Sequence, residues 1–370
     1  MRKIVGITRK TITGFNILWP VFLWGISAFS ASAHGGADLT SQTAWSHWNL
    51  TPAMVITSLL VLIVYWRGMA RRRQVHNPPS VWRHVSFFAG IAVVFLALQS
   101  PIDPIAERLF SLHQVQHILL RMLGPMLIIL SWPEGVLIAG LPALVRRRVL
   151  APMVSCGALR SVFRFLSHAP IAFIVFLASL YFWQIPIIHN AAVLNGTLHY
   201  VMHITMLAAG LLFFYLMFDR RDPPAGIPYP VRILMLIGTA VSNTLIGSIT
   251  TLKTVVVYTA YDIDGRLFGL APLADESIGG YIMWMPASMM CLIAILLVLH
   301  AGGKQEERHY AKSTAWTASN SAALEYPQTA EELRIKVKTV NRSMGLTLAM
   351  VSASMFILAL STVIAIHVLF

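Results

Sequence analysis

The chain has 370 residues, of which 56% are hydrophobic and only 12% are charged. An ordinary soluble domain is about one-quarter charged, so this composition excludes that class and indicates an integral membrane protein. The formal net charge of +13 does not predict a nucleic-acid partner, because basic residues in alternate loops set membrane orientation instead. The cysteines, Cys156 and Cys291, lie far apart and predict neither a disulfide framework nor a cysteine metal site.

A secretory signal peptide is predicted at residues 1–33. Four basic residues precede an apolar run from 15 to 29, and the small residues Ala31, Ser32 and Ala33 follow it. This order is typical of a cleavable signal. Cleavage after Ala33 would make His34 the new N-terminus, where an α-amine beside an imidazole is a further candidate copper ligand.

The rest of the chain predicts an all-α, polytopic membrane helix bundle. A seven-helix core occupies residues 34–300, a polar cytoplasmic segment follows at 301–342, and a C-terminal transmembrane helix occupies 343–370. An amphipathic, partly interfacial segment is expected after the third span, and an uncharged loop with His189 after the fourth. The predicted spans cover about residues 52–65, 85–98, 111–133, 168–185, 198–218, 233–249, 278–299 and 346–369.

Arginine-rich loops follow the first, third, fifth and seventh spans, whereas the loops between them are poor in arginine. Cytoplasmic loops carry the excess of Lys and Arg, so these loops are predicted to face the cytoplasm. The mature N-terminus is then outside.

Histidine pairs mark two of the predicted spans. His113, His117 and Arg121 follow one another at four-residue spacing, so they form one polar stripe on the third span. His199 and His203 begin the fifth span, which also enters from the outer side, so both pairs lie within about two helical turns of the outer boundary. Ionisable groups inside a membrane span indicate function, and imidazole binds copper, zinc and iron. The alternative is hydrogen bonding between helices.

Other polar residues are predicted near the same level. Asp275 and Met283, around the start of the seventh span, are further candidate ligands. The alternative for Asp275 is a helix N-cap, and for Met283 it is packing. Arg121 is expected to bind a carboxylate such as Glu107 or Asp275, to bind a haem propionate, or to extend toward the lipid headgroups.

Three motifs in the same order resemble the CtaG-type assembly factors of caa-type cytochrome c oxidases. They are Ser111 to His117 with Gly124 and Pro125, Leu198 to His203 with Gly210, Phe213 and Phe214, and Pro272 to Asp275 with Gly279, Gly280, Met283 and Trp284. The resemblance spans about residues 48–300 and implies a seven-helix core, a location in the bacterial inner membrane and a role in oxidase maturation at the copper-delivery stage. The ligand candidates it carries over are His113, His117, His199 and His203, with Asp275 and Met283 nearby. Arg121 and Glu276 depart from the family's pattern, which usually has an apolar residue and Gln at these positions.

Three functions remain open at this point. The leading one is a non-enzymatic assembly factor that holds copper on the outer face and passes it to an oxidase subunit, with other copper chaperones as further partners. A b-type cytochrome would use one histidine of each pair as axial haem ligands. A copper transporter is disfavoured because the third and fifth spans become mostly apolar below the paired histidines and Arg121. A hydrolase is disfavoured because the sequence has no His-Glu-x-x-His or Gly-x-Ser-x-Gly motif.

Overall fold

The computed structural model describes residues 39–72, 80–221, 223, 225–319 and scattered positions between 335 and 361. This part of the chain is helical and contains no strand. The predicted signal peptide, His34 and most of the predicted eighth span lie outside the described residues, although positions 342–351 are helical. The helices are α1 (Pro52–Arg72), α2 (Val81–Gln99), α3 (Ile102–Ala106), α4 (Phe110–Leu130), α5 (Glu134–Gly140), α6 (Ala143–Ser155), α7 (Gly157–Leu166), α8 (Ala169–Gln184), α9 (Pro186–Leu194), α10 (Gly196–Met217), α11 (Tyr229–Leu252) and α12 (Pro272–Ser319).

Five of the described helices are long and apolar enough to cross a membrane: α1, α2, α10, α11 and the first part of α12. Three bent helix pairs raise the number to as many as eight if each pair is one span. The pairs are α4 with α5, α6 with α7, and α8 with α9, bent by 75°, 66° and 75°. The predicted all-helical, multi-pass architecture is therefore confirmed.

Proline explains two of the bends. Trp132 adopts a positive φ of 52° just after α4, and Pro133 follows it before α5 begins. Ile185 is extended, as the residue before a proline prefers, and Pro186 then starts α9. The prediction of an uncharged loop after the fourth span is wrong. Proline suits the first position of a helix, so the chain turns and continues as α9, which carries His189.

The sequence also predicts that the seventh span ends near residue 299 and that a polar segment follows. In the structure, α12 continues without a break to Ser319. Gly302 and Gly303 each cost about 1 kcal/mol of helix propensity, but they keep their backbone donors. The Lys, Gln and Glu residues that follow are strong helix formers, so a change from apolar to polar side chains does not end the helix.

Helix α4 lies at the centre of the bundle, where it packs against α2, α10 and α12. Its turn Leu119–Leu123 is a π-helix. Gly210 of α10 lies directly against this turn, where an added Cβ would overlap the carbonyl oxygen of Arg121. Beyond this contact, α8 and α10 pack through an aromatic core formed by Phe176, Phe213 and Phe214, in which the rings of Phe176 and Phe213 stack at 4.1 Å.

The two ends of the bundle differ in charge. Arg71 at the end of α1 donates to the carbonyl of Ala139 at 2.8 Å, and the guanidinium of Arg220 lies 4.9 Å from the Trp132 ring centroid. These contacts define the arginine end. At the other end, here called the histidine end, α4 and α10 begin and carry their histidine pairs. The basic loops after the first, third and fifth predicted spans thus meet at one end, while the membrane side that this end faces stays a prediction.

Candidate metal centre

The first turn of α4 is fixed by a residue from α12. The N–H groups of Phe110 and Ser111 donate to the two carboxylate oxygens of Asp275, at 2.8 and 2.9 Å. The first N–H groups of a helix have no partner within the helix, and a carboxylate there also complements the helix dipole. Asp275 therefore caps α4 and sets the position of His113 and His117, which lie on the next turns.

Helix α10 is fixed in a similar way at its own start. The side chain of Asn195 accepts a hydrogen bond from the N–H of Leu198 at 3.1 Å, as an N-cap does. His199 and His203 follow at four-residue spacing, so both imidazoles lie on one face of α10. The ring centroids of this pair are 4.4 Å apart.

The four predicted histidines meet between α4 and α10. His113 lies 4.4 Å from His117, 5.1 Å from His199 and 5.8 Å from His203, measured between ring centroids. Within the described chain, the ligand atoms of His113, His117 and His203 lie within 4.8 Å of one another. These three residues are buried and form what is called the histidine triad below.

Several ring nitrogens of the triad face the space between the three imidazoles and have no protein donor or acceptor. Nε2 of His113, both ring nitrogens of His117 and Nε2 of His203 are buried without a hydrogen-bond partner in the described structure. A buried polar atom without a partner costs about 1–3 kcal/mol, and such atoms are rare in folded proteins. Three imidazoles with unpaired nitrogens in one space fit a bound metal ion, which would use these lone pairs.

A fifth imidazole belongs to the same cluster. His189 of α9 lies 5.1 Å from His113 between ring centroids. Its Nδ1 lies 2.9 Å from the carbonyl of Trp183 and its Nε2 lies 2.7 Å from the hydroxyl of Tyr261. The same hydroxyl lies 2.7 Å from Nδ1 of His113.

This chain of hydrogen bonds sets the tautomer of His113. A carbonyl only accepts, so Nδ1 of His189 donates to Trp183, and Nε2 of a neutral His189 accepts from the Tyr261 hydroxyl. The Tyr261 oxygen then accepts from Nδ1–H of His113, which leaves the lone pair of that imidazole on Nε2. Metal-binding histidines are commonly held by such an outer hydrogen bond.

The loop that supplies Tyr261 is held by buried ion pairs. Arg266 donates to Asp275 at 2.5 Å and to Glu276 at 3.2 Å, and Lys253 pairs with Glu276 as well. Glu276 also accepts from the N–H of Tyr258 at 3.0 Å. Burial first, and the nearby Asp275 second, raise the pKa of Tyr261 well above its usual value. The Tyr261 phenol therefore keeps the proton that it donates to His189.

The remaining predicted site residues lie around the cluster. Asp275 caps α4 and binds Arg266, and neither contact is to the triad. Met283 is buried beside Phe110, Tyr258 and Tyr261. Their assignment as ligands stays a prediction, and the contacts give each of them a structural role.

Arg121 departs from the predicted polar stripe. It is buried, its Nη2 donates to the carbonyl of Phe176 at 2.9 Å, and its guanidinium lies 3.8 Å from the centroid of the Phe176 ring. The prediction that Arg121 binds a carboxylate is wrong, because these contacts are with Phe176 on α8. The π-turn at Leu119–Leu123 changes the direction of side chains that follow His117.

Sequence reasoning missed His189 and Tyr261 as members of the cluster. His189 lies in a run of apolar residues that begins at Pro186, and a proline at the first helical position could have indicated α9. Tyr261 lies in the loop before α12 and reaches His113 across 148 residues. No local pattern around Tyr261 indicates that contact.

Comparison with known proteins identifies the family. The family model "Cytochrome c oxidase caa3 assembly factor (Caa3_CtaG)" matches residues 63–301, which include every histidine of the cluster. Uncharacterised proteins of Mycobacterium leprae (strain TN) and of Mycobacterium tuberculosis (strain CDC 1551 / Oshkosh) are each 25% identical over 264 residues. Each match covers 70% of this chain and 40% of the relative, so the chain spans less than half the length of these curated relatives. No solved structure matches. Because the family model covers more than half of the chain, the protein belongs to the cytochrome c oxidase caa3 assembly factor family.

Proposed function

We propose that this protein is a non-enzymatic assembly factor that binds a copper ion with His113, His117 and His203 and passes it to a cytochrome c oxidase subunit. The observation that carries the proposal is the set of buried ring nitrogens without hydrogen-bond partners in the described residues. Membership of the caa3 assembly factor family supports the oxidase as the recipient. Other copper chaperones are the proposed donors.

The donor atoms favour copper. All three triad ligands are imidazoles, which suit copper, zinc, iron and nickel, and of these metals copper is the one with a common monovalent ion. The ligands are neutral and buried, and the cost of burying an ion rises with its charge. A monovalent ion such as Cu(I) therefore suits the triad better than a divalent ion. Arg121 opposes cation binding less than the sequence predicts, because its guanidinium is directed at the carbonyl and ring of Phe176.

The packing supports copper over haem. A haem with two axial histidines needs a slot for the macrocycle between the two imidazoles. In the described bundle, the facing rings of α4 and α10 are separated by only 5.1–5.9 Å between centroids, and His189 fills one side of the cluster. A macrocycle would require these helices to move apart.

The packing also supports delivery from one face over transport through the membrane. Beyond the triad, the space between α4, α8 and α10 is filled by the aromatic core and by Arg121. A transport path needs polar or sulfur groups at successive depths. We place the protein in the bacterial inner membrane with the histidine end outward, because the arginine end carries the loops that positive-inside orientation assigns to the cytoplasm.

The test is the metal content of the purified protein. We expect wild-type protein to bind about one Cu(I) per chain, and the double variant His117→Ala with His203→Ala to retain less than about one-tenth of it, because only one imidazole of the triad remains. His300→Ala is the matched control, since His300 is exposed and lies outside the cluster on α12. Wild-type copper content in a folded double variant would refute the site. A stoichiometric Soret band from the purified wild-type protein would replace copper with haem.

A further inference from the structure

We infer that His199 and Glu107 form a separate exchange position, through which a soft monovalent cation reaches and leaves the histidine triad. The inference rests on the proposed function, since it requires that the triad binds the ion. It gives His199 a different role from that of a resident ligand. The juxtaposition that carries it is a row of ligand atoms leading from the surface to the triad.

Exposure falls step by step along this row. The side chain of Glu107 is 27% exposed and that of His199 is 7% exposed. Measured over the whole residue, His199 is 5% exposed. The triad residues behind them are 4% exposed at His203, 2% at His117 and 0% at His113. A cation arriving from water therefore meets the carboxylate first, the His199 imidazole second and the triad last.

The steps between these groups are short. Nδ1 of His199 lies 3.8 Å from a carboxylate oxygen of Glu107. The His199 ring lies 4.4 Å from that of His203 and 5.1 Å from that of His113, between centroids. An ion that is bound by His199 can therefore be passed to the triad by small side-chain movements.

Two other sides of the triad are covered by buried residues in the described part of the bundle. His189 and Tyr261 cover His113 on one side, and both are buried. The ring of Phe110 stacks on Tyr258 at 4.2 Å next to them. The aromatic core closes the space beyond the triad. The approach through Glu107 combines a partly exposed carboxylate with a ring nitrogen next to the triad.

The transfer is a ligand exchange in which neither the charge of the ion nor the number of electrons changes. A nitrogen of His199 forms a bond to the ion while the ion's bond to one triad nitrogen breaks, and loading runs through the same steps in reverse. Glu107 attracts the cation at the surface, and its negative charge lowers the free-energy cost of removing part of the ion's hydration shell. Because the exchange position lies on the path and not in the final site, it changes rates and leaves the affinity unchanged.

The experiment measures affinity and rates separately. Purified full-length protein is loaded with Cu(I), and stopped-flow absorbance follows the transfer of Cu(I) to excess bicinchoninate and the transfer back to the protein. The dissociation constant is measured separately by competition with the chelator. We expect Glu107→Gln to slow loading and release by the same factor, about tenfold, the low end of what charge steering contributes. His199→Gln is expected to slow both at least as much. Asp264→Asn is the control, because Asp264 is an exposed acid that lies outside the row. It is still near Glu107, since its backbone carbonyl accepts a hydrogen bond from Arg108.

Two results would overturn the inference while leaving the copper site intact. A weaker affinity with faster release in His199→Gln would make His199 a resident ligand. Wild-type rates in Glu107→Gln would remove the carboxylate from the path, and this arm decides the question if His199→Gln does not fold. A wild-type protein that binds no Cu(I) would instead refute the proposed function, so the two failures are distinguishable.

Discussion

The histidine triad lies between α4 and α10 and the aromatic core lies between α8 and α10, so the two regions share helix α10, yet they are packed in opposite ways. In the aromatic core, the side chains of Phe176 and Phe213 are fully buried and stack on each other at 4.1 Å. In the triad, equally buried rings present nitrogens that find no protein partner in the described chain. The aromatic core holds the helices together, while the triad keeps coordination positions for an ion. Stability and metal binding should therefore respond to different substitutions.

Phe213→Ala should have the largest effect, a loss of stability without a change in Cu(I) affinity. Removing a buried phenylalanine costs about 3–5 kcal/mol, because the stacked Phe176 loses its partner and a cavity remains. We expect a large loss of stability in SDS-induced unfolding with an unchanged Cu(I) dissociation constant in the protein that stays folded. Phe165→Ala, at a position 60% exposed on α7, is the control and should change stability little. A large loss of Cu(I) affinity in folded Phe213→Ala would show that the two regions are not independent.

Tyr261→Phe should have the opposite effect, weaker Cu(I) binding with little change in stability, and the change should be smaller. The substitution keeps the ring and removes the hydroxyl that links His189 to His113. Losing an outer hydrogen bond of a metal ligand typically weakens binding by about 10–100-fold, and we expect the low end. Cu(I) competition with a chelator measures the loss, and the unfolding midpoint should move only slightly.

Tyr281→Phe is the matched control for that experiment, because Tyr281 is exposed on α12. It should retain wild-type affinity. An unchanged affinity in Tyr261→Phe would show that the hydroxyl does not orient His113 for binding.

The smallest expected effect concerns the pH dependence of stability at the histidine end. Burial first, and the nearby Glu107 second, raise the pKa of Asp103 from 3.8 to about 7. Between these values the folded protein binds more protons than the unfolded chain, so this residue makes stability fall as pH rises through that window. We expect Asp103→Asn to remove this part of the slope, seen as a difference of a few degrees in melting temperature between the ends of the window. Asp264→Asn should keep the wild-type slope, and an identical slope in Asp103→Asn would contradict the assignment.

Much of the architecture follows from sequence because each long apolar segment is a local signal. The predicted first, second, fifth and sixth spans correspond to α1, α2, α10 and α11. Helix ends were predicted less well. The sequence predicts a loop in place of α9, whose nine residues give only a short helical signal, and it predicts that α12 ends too early because the side chains become polar before the backbone stops being helical.

The site shows the same division between local and distant signals. The two His-x-x-x-His pairs are visible because four-residue spacing places each pair on one helix face. Their meeting follows from both spans entering at the same end. The position of Tyr261 could not be predicted, because it depends on the ion pairs of Arg266 and on the cap that Asp275 provides for α4. The cap joins residues that are far apart in sequence.

The π-turn Leu119–Leu123 has a consequence for how one helix serves two purposes. Such a turn holds one residue more than an α-helical turn, so everything after it is rotated by about 100° relative to a regular helix. The segment before the turn can then face α10 with its imidazoles, while Arg121, within the turn, directs its positive charge toward the Phe176 carbonyl on α8. A single additional backbone position thus lets an arginine and a cation-binding centre coexist on neighbouring turns.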